Sequence, residues 1–190
     1  MTGYVKKGNL IAGSIVAFIT FFIALLASLG SEFLVRMVNS VVMAIMLLLA
    51  IIFLGIFFDI IGTAATAADL PPFNAKAAKK VLGAQQAVKI IHNNDVVANF
   101  CNDVVGDIAG TLSGAVGAGI ILNLSTQLGI ADLILSGSVM TSMIAAITVG
   151  GKAIGKNVAV NNANRIIFRV AVILAFWENA SGIEVFKNRR

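Results

Sequence analysis

The chain has 190 residues, of which 58% are hydrophobic and only 12% are charged. Its mean hydropathy of +0.95 lies far outside the range of soluble globular proteins. The formal net charge of +5 comes from lysines and arginines that are not interleaved with base-stacking aromatic residues. The composition therefore indicates an integral membrane protein and disfavours nucleic-acid binding.

The first predicted element is an uncharged stretch over residues 10–29, which follows Lys6 and Lys7. About 20 apolar residues are enough to cross ~30 Å of hydrocarbon, so this stretch predicts a membrane span. A cleaved secretion signal is the alternative, since Ser28-Leu29-Gly30 resembles a small-residue cleavage site. The stretch is longer than a usual signal core, which favours a retained span.

Three further spans are predicted over residues 41–61, 96–124 and 128–149. The second continues as a helix toward Asp69 and ends at Pro71 and Pro72, because proline cannot extend the hydrogen-bond ladder. The connections around residues 31–36 and 123–127 carry no net charge, as expected of external loops.

Two segments have the pattern of amphipathic helices that lie at the membrane surface. Residues 73–93 place lysines on one helical side and alanine, valine and isoleucine on the other, which predicts one continuous helix. Residues 164–177 carry Arg165, Arg169 and the anchoring Trp177. The predicted fold is an all-α membrane protein with about four transmembrane helices plus two interfacial amphipathic helices. The lysine and arginine distribution places both termini in the cytoplasm, with the protein in the cell (inner or plasma) membrane.

A glycine-studded stretch over residues 102–114 lies inside the third predicted span. Gly106, Gly110 and Gly114 recur every four residues and predict a smooth stripe for close helix packing. Asp103 and Asp107 repeat with the same spacing on an adjacent face. Acids inside a bilayer are costly, so they are candidates for a functional role.

Asp59, Asp107 and Lys152 fall near the inner half of the membrane in this topology, and we expect them to converge. Oxygen-bearing side chains suit a hard divalent cation such as magnesium, and the two helices offer six of them: Asp59, Thr63, Asn102, Asp103, Asp107 and Thr111. The structural alternative is that Asp103 is solvated, Asp59 pairs with Lys152 and the glycines only pack. The chain has no HExxH, GxSxG or glycine-rich phosphate-loop motif, so no enzyme is predicted.

Two motifs carry a family resemblance. Phe57-Phe58-Asp59-Ile60-Ile61-Gly62-Thr63-Ala64 loosely matches a pattern F-F-S-x-S-E-T-A, and Gly151-Lys152-Ala153-Ile154-Gly155-Lys156-Asn157 is similar to G-E-x-x-P-K-T. With the order of helices, these motifs resemble the transmembrane domain of the CNNM/CorB/CorC magnesium transporter family. The resemblance implies a domain over residues 37–178, an extra N-terminal transmembrane helix and external loop over 1–36, and a basic cytoplasmic tail over 179–190. It also implies a homodimer.

In that family, serine and asparagine side chains, a glutamate and backbone carbonyl oxygen hold magnesium between the helices. The corresponding positions here are Asp59, Gly106 or Asp107, Gly110 and Lys152, so the glutamate is replaced by a residue of opposite charge. Gly155 replaces the proline that breaks the family's third helix, which predicts an irregular turn at this point. The family's nucleotide-binding CBS pair is not expected after Trp177, so nucleotide gating is not predicted.

The resemblance leaves two hypotheses for the candidate site, which comprises Asp59, Thr63, Asn102, Asp103, Gly106, Asp107, Gly110, Gly151 and Lys152. In the first, Asp59 and Asp107 bind magnesium, or cobalt, while Lys152 extends to the inner interface. The chain is then a divalent-cation transporter or ion-binding protein, with magnesium as the leading expected ion and no other cofactor. In the second, the Lys152 ammonium stands where the family places the metal, and Asp59 and Asp107 are its counter-ions. The chain is then a non-transporting interaction or regulatory subunit.

Overall fold

The computed structural model describes residues 7–37, 40–128 and 132–186, with side chains over 13–30, 40–126 and 132–186. Within these residues the chain consists of helices and short turns, without a β-strand. The helices are α1 (Lys7–Met37), α2 (Val41–Ala67), α3 (Leu70–Ala78), α4 (Ala84–His92), α5 (Asn94–Ala98), a π-helical segment (Asn99–Val105), α6 (Gly106–Leu128), α7 (Leu133–Asn161) and α8 (Ala163–Ser181). The predicted charge at Lys6, the start of the fourth predicted span at 129–131 and the end of the predicted tail at 187–190 lie outside the described residues.

Four stretches of helix are long and apolar enough to cross a membrane: Gly13–Gly30, Val41–Ala67, Asn94–Thr126 and Leu133–Asn161. The all-helical class and the four long apolar helices are therefore confirmed. Their bounds differ from the predicted ones, because α1 continues as helix through the expected external connection to Met37. The fourth of the long helices, α7, starts after Asp132, whose carboxylate accepts a hydrogen bond from the Leu135 backbone N–H.

The predicted irregular turn at Gly155 is wrong, because α7 runs as a regular helix from Leu133 to Asn161. Glycine retains the backbone N–H that proline lacks, so the helical hydrogen bonds continue through it. Its missing side chain is used for packing instead: a Cβ on Gly155 would lie 2.8 Å from Ile60 Cγ1. Gly151 likewise packs against Ile56.

The prediction of one amphipathic helix over residues 73–93 is also wrong, because the segment forms two short helices. Pro71 and Pro72 end α2 and then fit the first turn of α3, where their missing N–H groups need no helical partner. The chain turns between Ala78 and Ala84 through Lys80 at φ 54° and Gly83 at φ 83°. These two left-handed conformations separate α3 from α4.

The contacts between the long helices give their relative directions. Gly55 meets Ala109 and Gly62 meets Asn102, so α2 is antiparallel to the π-helical segment and α6. Ile56 meets Gly151 and Ile60 meets Gly155, so α2 and α7 run in the same direction. The C-terminal ends of α2 and α7 therefore lie at one end of the bundle, together with the π-helical segment.

Two apolar clusters stabilise this bundle. The first joins the C-terminal part of α2 to α3, α4 and α8, with Phe73 and Ile167 fully buried in it. The second joins the N-terminal part of α2 to α6 and α7 through Leu48, Ile120 and Ile144. Along α2, Asp59 lies between Ile52 of the second cluster and Ala64 of the first, so a polar region separates the two clusters.

Candidate functional site

Asp59 is a buried carboxylate in the middle of a long apolar helix, with only 3% of the residue exposed. Its Oδ1 lies 3.6 Å from the Lys152 Nζ of α7, which is within ion-pair range but long for a hydrogen bond. Its Oδ2 has no hydrogen-bond partner among the described residues. A buried carboxylate loses roughly several kcal/mol of hydration free energy, which the nearby Lys152 ammonium offsets. The second carboxylate oxygen stays free to bind another group.

Asn102 brings a second free oxygen to the same end of the bundle. It lies in the π-helical segment, and its side chain packs directly on Gly62, one helical turn beyond Asp59 on α2. Its Oδ1 is buried without a hydrogen-bond partner among the described residues. A Cβ on Gly62 would lie 2.7 Å from Asn102 Cγ, so only glycine leaves room for the amide.

Gly106 makes room for the Lys152 side chain. A Cβ at this position would lie 3.2 Å from Lys152 Nζ and 3.5 Å from the carbonyl oxygen of Cys101. The ammonium group thus lies over the junction between the π-helical segment and α6, while 23% of its side chain is exposed. Gly106 thus leaves room for the Lys152 ammonium at the same level where α2 packs closely on α6.

Two residues with buried hydroxyl groups extend the polar region, and the sequence pattern does not single them out. Thr148 lies one turn before Lys152 on α7, and its Oγ1 is buried without a hydrogen-bond partner among the described residues. The antiparallel pairs Gly106–Lys152 and Gly117–Ile144 place Ser113 of α6 at the level of Thr148. Ser113 is fully buried and donates to the Ala109 carbonyl oxygen at 2.7 Å. The spacing of Thr148 from Lys152, four residues on one helix, is the signal that would have found it.

The polar residues are spread along the bundle. The contacts of Ile56 with Gly151 and of Ile60 with Gly155 place Thr148 level with residue 53 of α2, and Asn102 meets Gly62, so these ends lie nine residues apart on α2, which is ~14 Å at ~1.5 Å per residue. Asp59 and Lys152 lie between these ends. Oxygen atoms and one ammonium group therefore line the contact between α2, α6 and α7 where purely apolar packing would be expected.

Other residues of the predicted site lie elsewhere. Asp103 and Asp107 are exposed, and no salt bridge connects Asp107 to Lys152 in the described part of the chain. A Cβ on Gly110 or Gly114 would meet no atom within 4 Å, so these glycines make no close contact inside the chain. The structure thus brings together Asp59, Asn102, Gly106 and Lys152 and leaves Asp103, Asp107, Gly110 and Gly114 on an outer face.

Thr63 and Gly151 lie close to the polar region but contribute no hydrogen-bonding side chain to it. Thr63 is half-buried on α2, and its carbonyl oxygen accepts a hydrogen bond from Thr66 Oγ1. Gly151 lets Ile56 approach α7 one residue before Lys152. Among the residues whose side chains are described, no three His, Cys, Asp or Glu groups lie close enough to hold a metal ion together.

The oxygen atoms of this centre determine which ions it could bind. One carboxylate, one amide and hydroxyl groups offer oxygen ligands, which hard divalent cations prefer, and a site with few protein ligands suits magnesium because this ion retains several waters. The only cation that contacts Asp59 is Lys152, among the described residues. No family model, no curated protein and no solved structure matches this chain.

Proposed function

We propose that the chain is an integral membrane protein that binds and transports a divalent cation at the centre formed by Asp59 and Asn102. Magnesium is the leading cargo and cobalt the second, as the resemblance to the CNNM/CorC family implies. The observation that carries this proposal is the pair of buried, unpartnered oxygens, Asp59 Oδ2 and Asn102 Oδ1, on adjacent helices. Buried polar atoms in proteins are seldom found without a ligand, a water or a counter-ion that binds them.

Lys152 has the role of an internal competitor in this proposal. With its ammonium 3.6 Å from Asp59, the centre is closed by a tethered cation. Its long apolar stem allows the ammonium to move toward the nearby ends of α2 and α7. A divalent cation would then replace it beside Asp59.

The 3.6 Å contact also favours a second candidate function, in which Lys152 never leaves. The chain would then be a non-transporting membrane interaction or regulatory subunit, with a permanent ion pair in place of a metal. The two candidates differ in whether the unmodified chain binds magnesium.

Magnesium flux into liposomes that contain the purified protein tests the first candidate. We expect the unmodified chain to transport magnesium and Asp59→Asn to lose about tenfold or more, because the variant removes the charged ligand. Asp95→Asn is the matched control, since it makes the same chemical change at an exposed carboxylate on α5. Asp107→Asn tests whether the exposed acid of α6 participates.

Lys152→Met separates the two candidates. If the ammonium competes with the cargo, this variant binds magnesium more tightly than the unmodified chain. If the unmodified chain neither binds nor transports magnesium, and Lys152→Glu creates binding, the second candidate is correct.

The proposed setting is the cell membrane, with both termini in the cytoplasm, α3, α4 and α8 at its inner surface and a homodimer as the functional unit. The exposed face of α6 supports a dimer, because Asp103 and Asp107 would be costly against lipid and Gly110 and Gly114 offer a smooth surface to a second copy. Cross-linking of cysteines introduced at Gly110 and Gly114 tests this arrangement.

A further inference from the structure

A second feature of the molecule lies where the turn between α3 and α4 packs on α8. This turn exposes Lys79, Lys80 and Leu82, and Lys76 is exposed one turn earlier on α3. On α8, Phe176 is 61% exposed and Trp177 is 50% exposed. We call these six residues, Lys76, Lys79, Lys80, Leu82, Phe176 and Trp177, the basic-apolar patch.

Two contacts fix the turn on α8. The Lys76 Nζ lies 3.9 Å from the centroid of the Phe168 ring. Gly83 packs on the backbone of Val172, where a Cβ would lie 2.8 Å from Val172 Cα. Because Phe168, Val172 and Phe176 succeed one another by one turn, Phe168 marks the lysine end of this row and Phe176 its other end, and Trp177 follows Phe176 on the adjoining face of α8.

Among the described residues, no acid compensates the positive charge of the patch. Each acid on the surrounding elements is already engaged: Asp69 with Asn164, Glu184 with Lys89, and Glu178 with Gln86 and the Val185 backbone N–H. No salt bridge reaches Lys76, Lys79 or Lys80 within the described ranges. Exposed Arg169, which follows Phe168 on α8, adds a further positive charge nearby.

We propose that the basic-apolar patch binds the headgroups of anionic phospholipids, with Leu82, Phe176 and Trp177 at the acyl boundary. A purely basic surface would suit solvent, but exposed aromatic and aliphatic side chains beside uncompensated lysines suit a charged membrane surface. The patch is also within reach of that surface, since α3 begins three residues after α2 ends and α8 begins two residues after α7 ends. This inference depends on the proposed membrane insertion but not on cation transport.

The single tryptophan of the chain allows a direct test. The full-length protein is placed in nanodiscs of fixed phosphatidylcholine and phosphatidylglycerol content, with brominated acyl chains on one lipid or the other at equal bromine density. Bromine quenches Trp177 fluorescence only at short range. We expect brominated phosphatidylglycerol to quench Trp177 fluorescence at least about twofold more than brominated phosphatidylcholine does. The reason is that each nearby lysine enriches anionic lipid several-fold.

In the triple variant Lys76→Gln/Lys79→Gln/Lys80→Gln, both brominated lipids should quench Trp177 fluorescence equally. Lys156→Gln, which changes an exposed lysine on α7, should keep the stronger quenching by phosphatidylglycerol. Equal quenching in the unmodified chain overturns the inference, as does a preference that survives in the triple variant. Failure to enter nanodiscs would overturn the proposed membrane insertion and this inference together. Entry with equal quenching would overturn only this inference.

Discussion

At the residue scale, the closest fit in the candidate site is that of Asn102 against Gly62. We predict that Gly62→Ala lowers the free energy of unfolding by about 1–3 kcal/mol, since the added methyl must displace the buried amide. The same change should weaken magnesium binding, because Asn102 Oδ1 would be displaced from its position beside Gly62. Thermal unfolding in detergent and magnesium titration measure the two effects.

Gly150→Ala is the matched control for that variant. A Cβ at Gly150 meets no atom within 4 Å, and the residue lies inside α7. Alanine is the better helix former by up to ~1 kcal/mol, so the control should be neutral or stabilising. Equal losses in both variants would mean that the Asn102 contact is not what matters at Gly62.

Sequence reasoning found the central residues of the site but not their whole arrangement. Asp59, Asn102 and Lys152 were predictable because polar groups in apolar helices require partners. Asp107 and Gly110 are predicted with them, and Gly114 as part of the helix-packing stripe, because spacing along one helix shows which residues share a face. Spacing cannot show which face turns inward, and α6 turns Ile108, Ala109 and Ser113 inward instead.

At the element scale, the π-helical segment changes the relation between Asn102 and the residues of α6. A π-helical turn holds an extra residue, so the faces before and after it are offset by roughly 100° from those of a regular helix. Asn102 lies in this segment, Asn99–Val105, whereas Asp107, Gly110 and Gly114 lie in the regular helix α6, so regular helical spacing does not relate the face of Asn102 to theirs. No residue pattern in the sequence predicts this segment. Its position is known only from the structure, in which Asn102 packs on Gly62.

The turn between α3 and α4 gives a prediction about the element boundary that the sequence reasoning missed. Gly83 combines a left-handed φ of 83° with direct contact on the Val172 backbone. Gly83→Ala should therefore cost ~1–2 kcal/mol for the conformation and a further ~1–3 kcal/mol for displacing α8. Chemical denaturation in mild detergent measures the total.

Gly182→Ala isolates the first of these two costs. Gly182 has a φ of 69° after α8, and a Cβ there meets no atom within 4 Å. This control should show only the conformational cost of ~1–2 kcal/mol. If the two variants lose the same stability, the turn is not packed tightly on α8.

The segment after α8 is held by Glu178, which gives a second prediction at this scale. Glu178 is 8% exposed, and its carboxylate accepts hydrogen bonds of 3.0 Å from Gln86 Nε2 and the Val185 backbone N–H. Glu178→Ala should release Val185, with hydrogen exchange at its amide faster by about tenfold or more, since a charge-assisted bond contributes ~1.5–3 kcal/mol. Glu184→Ala is the control, because it removes an ion pair with Lys89 in which the Glu184 side chain is 67% exposed. It should change hydrogen exchange at the Val185 amide by less than about fivefold. Similar rates in both variants would contradict the role assigned to Glu178.

At the scale of the whole molecule, the four long apolar helices were predictable because hydropathy and length need no knowledge of packing. Their mutual directions follow from contacts between glycines and larger side chains, such as Gly55 with Ala109 and Gly117 with Ile144. A single sequence does not reveal such pairs, because each glycine has several candidate partners. The contacts nevertheless agree with the predicted up-and-down order of α2, α6 and α7.

That order makes a prediction about the two faces of the membrane. Thr66 at the end of α2 and Asn161 at the end of α7 lie at one end of the bundle, and Thr126 near the end of α6 lies at the other. Single cysteines at these exposed positions, in a Cys101→Ser background, are labelled with a membrane-impermeant maleimide on intact cells. Thr126→Cys should react at once, and Thr66→Cys and Asn161→Cys only after permeabilisation, because the proposed topology places the lysine-rich end in the cytoplasm. Labelling of Thr126→Cys and Asn161→Cys from the same side would mean that α7 does not cross the membrane. The buried Asp59–Lys152 pair would then lie in a helical bundle at the membrane surface, and the case for transport would fail with it.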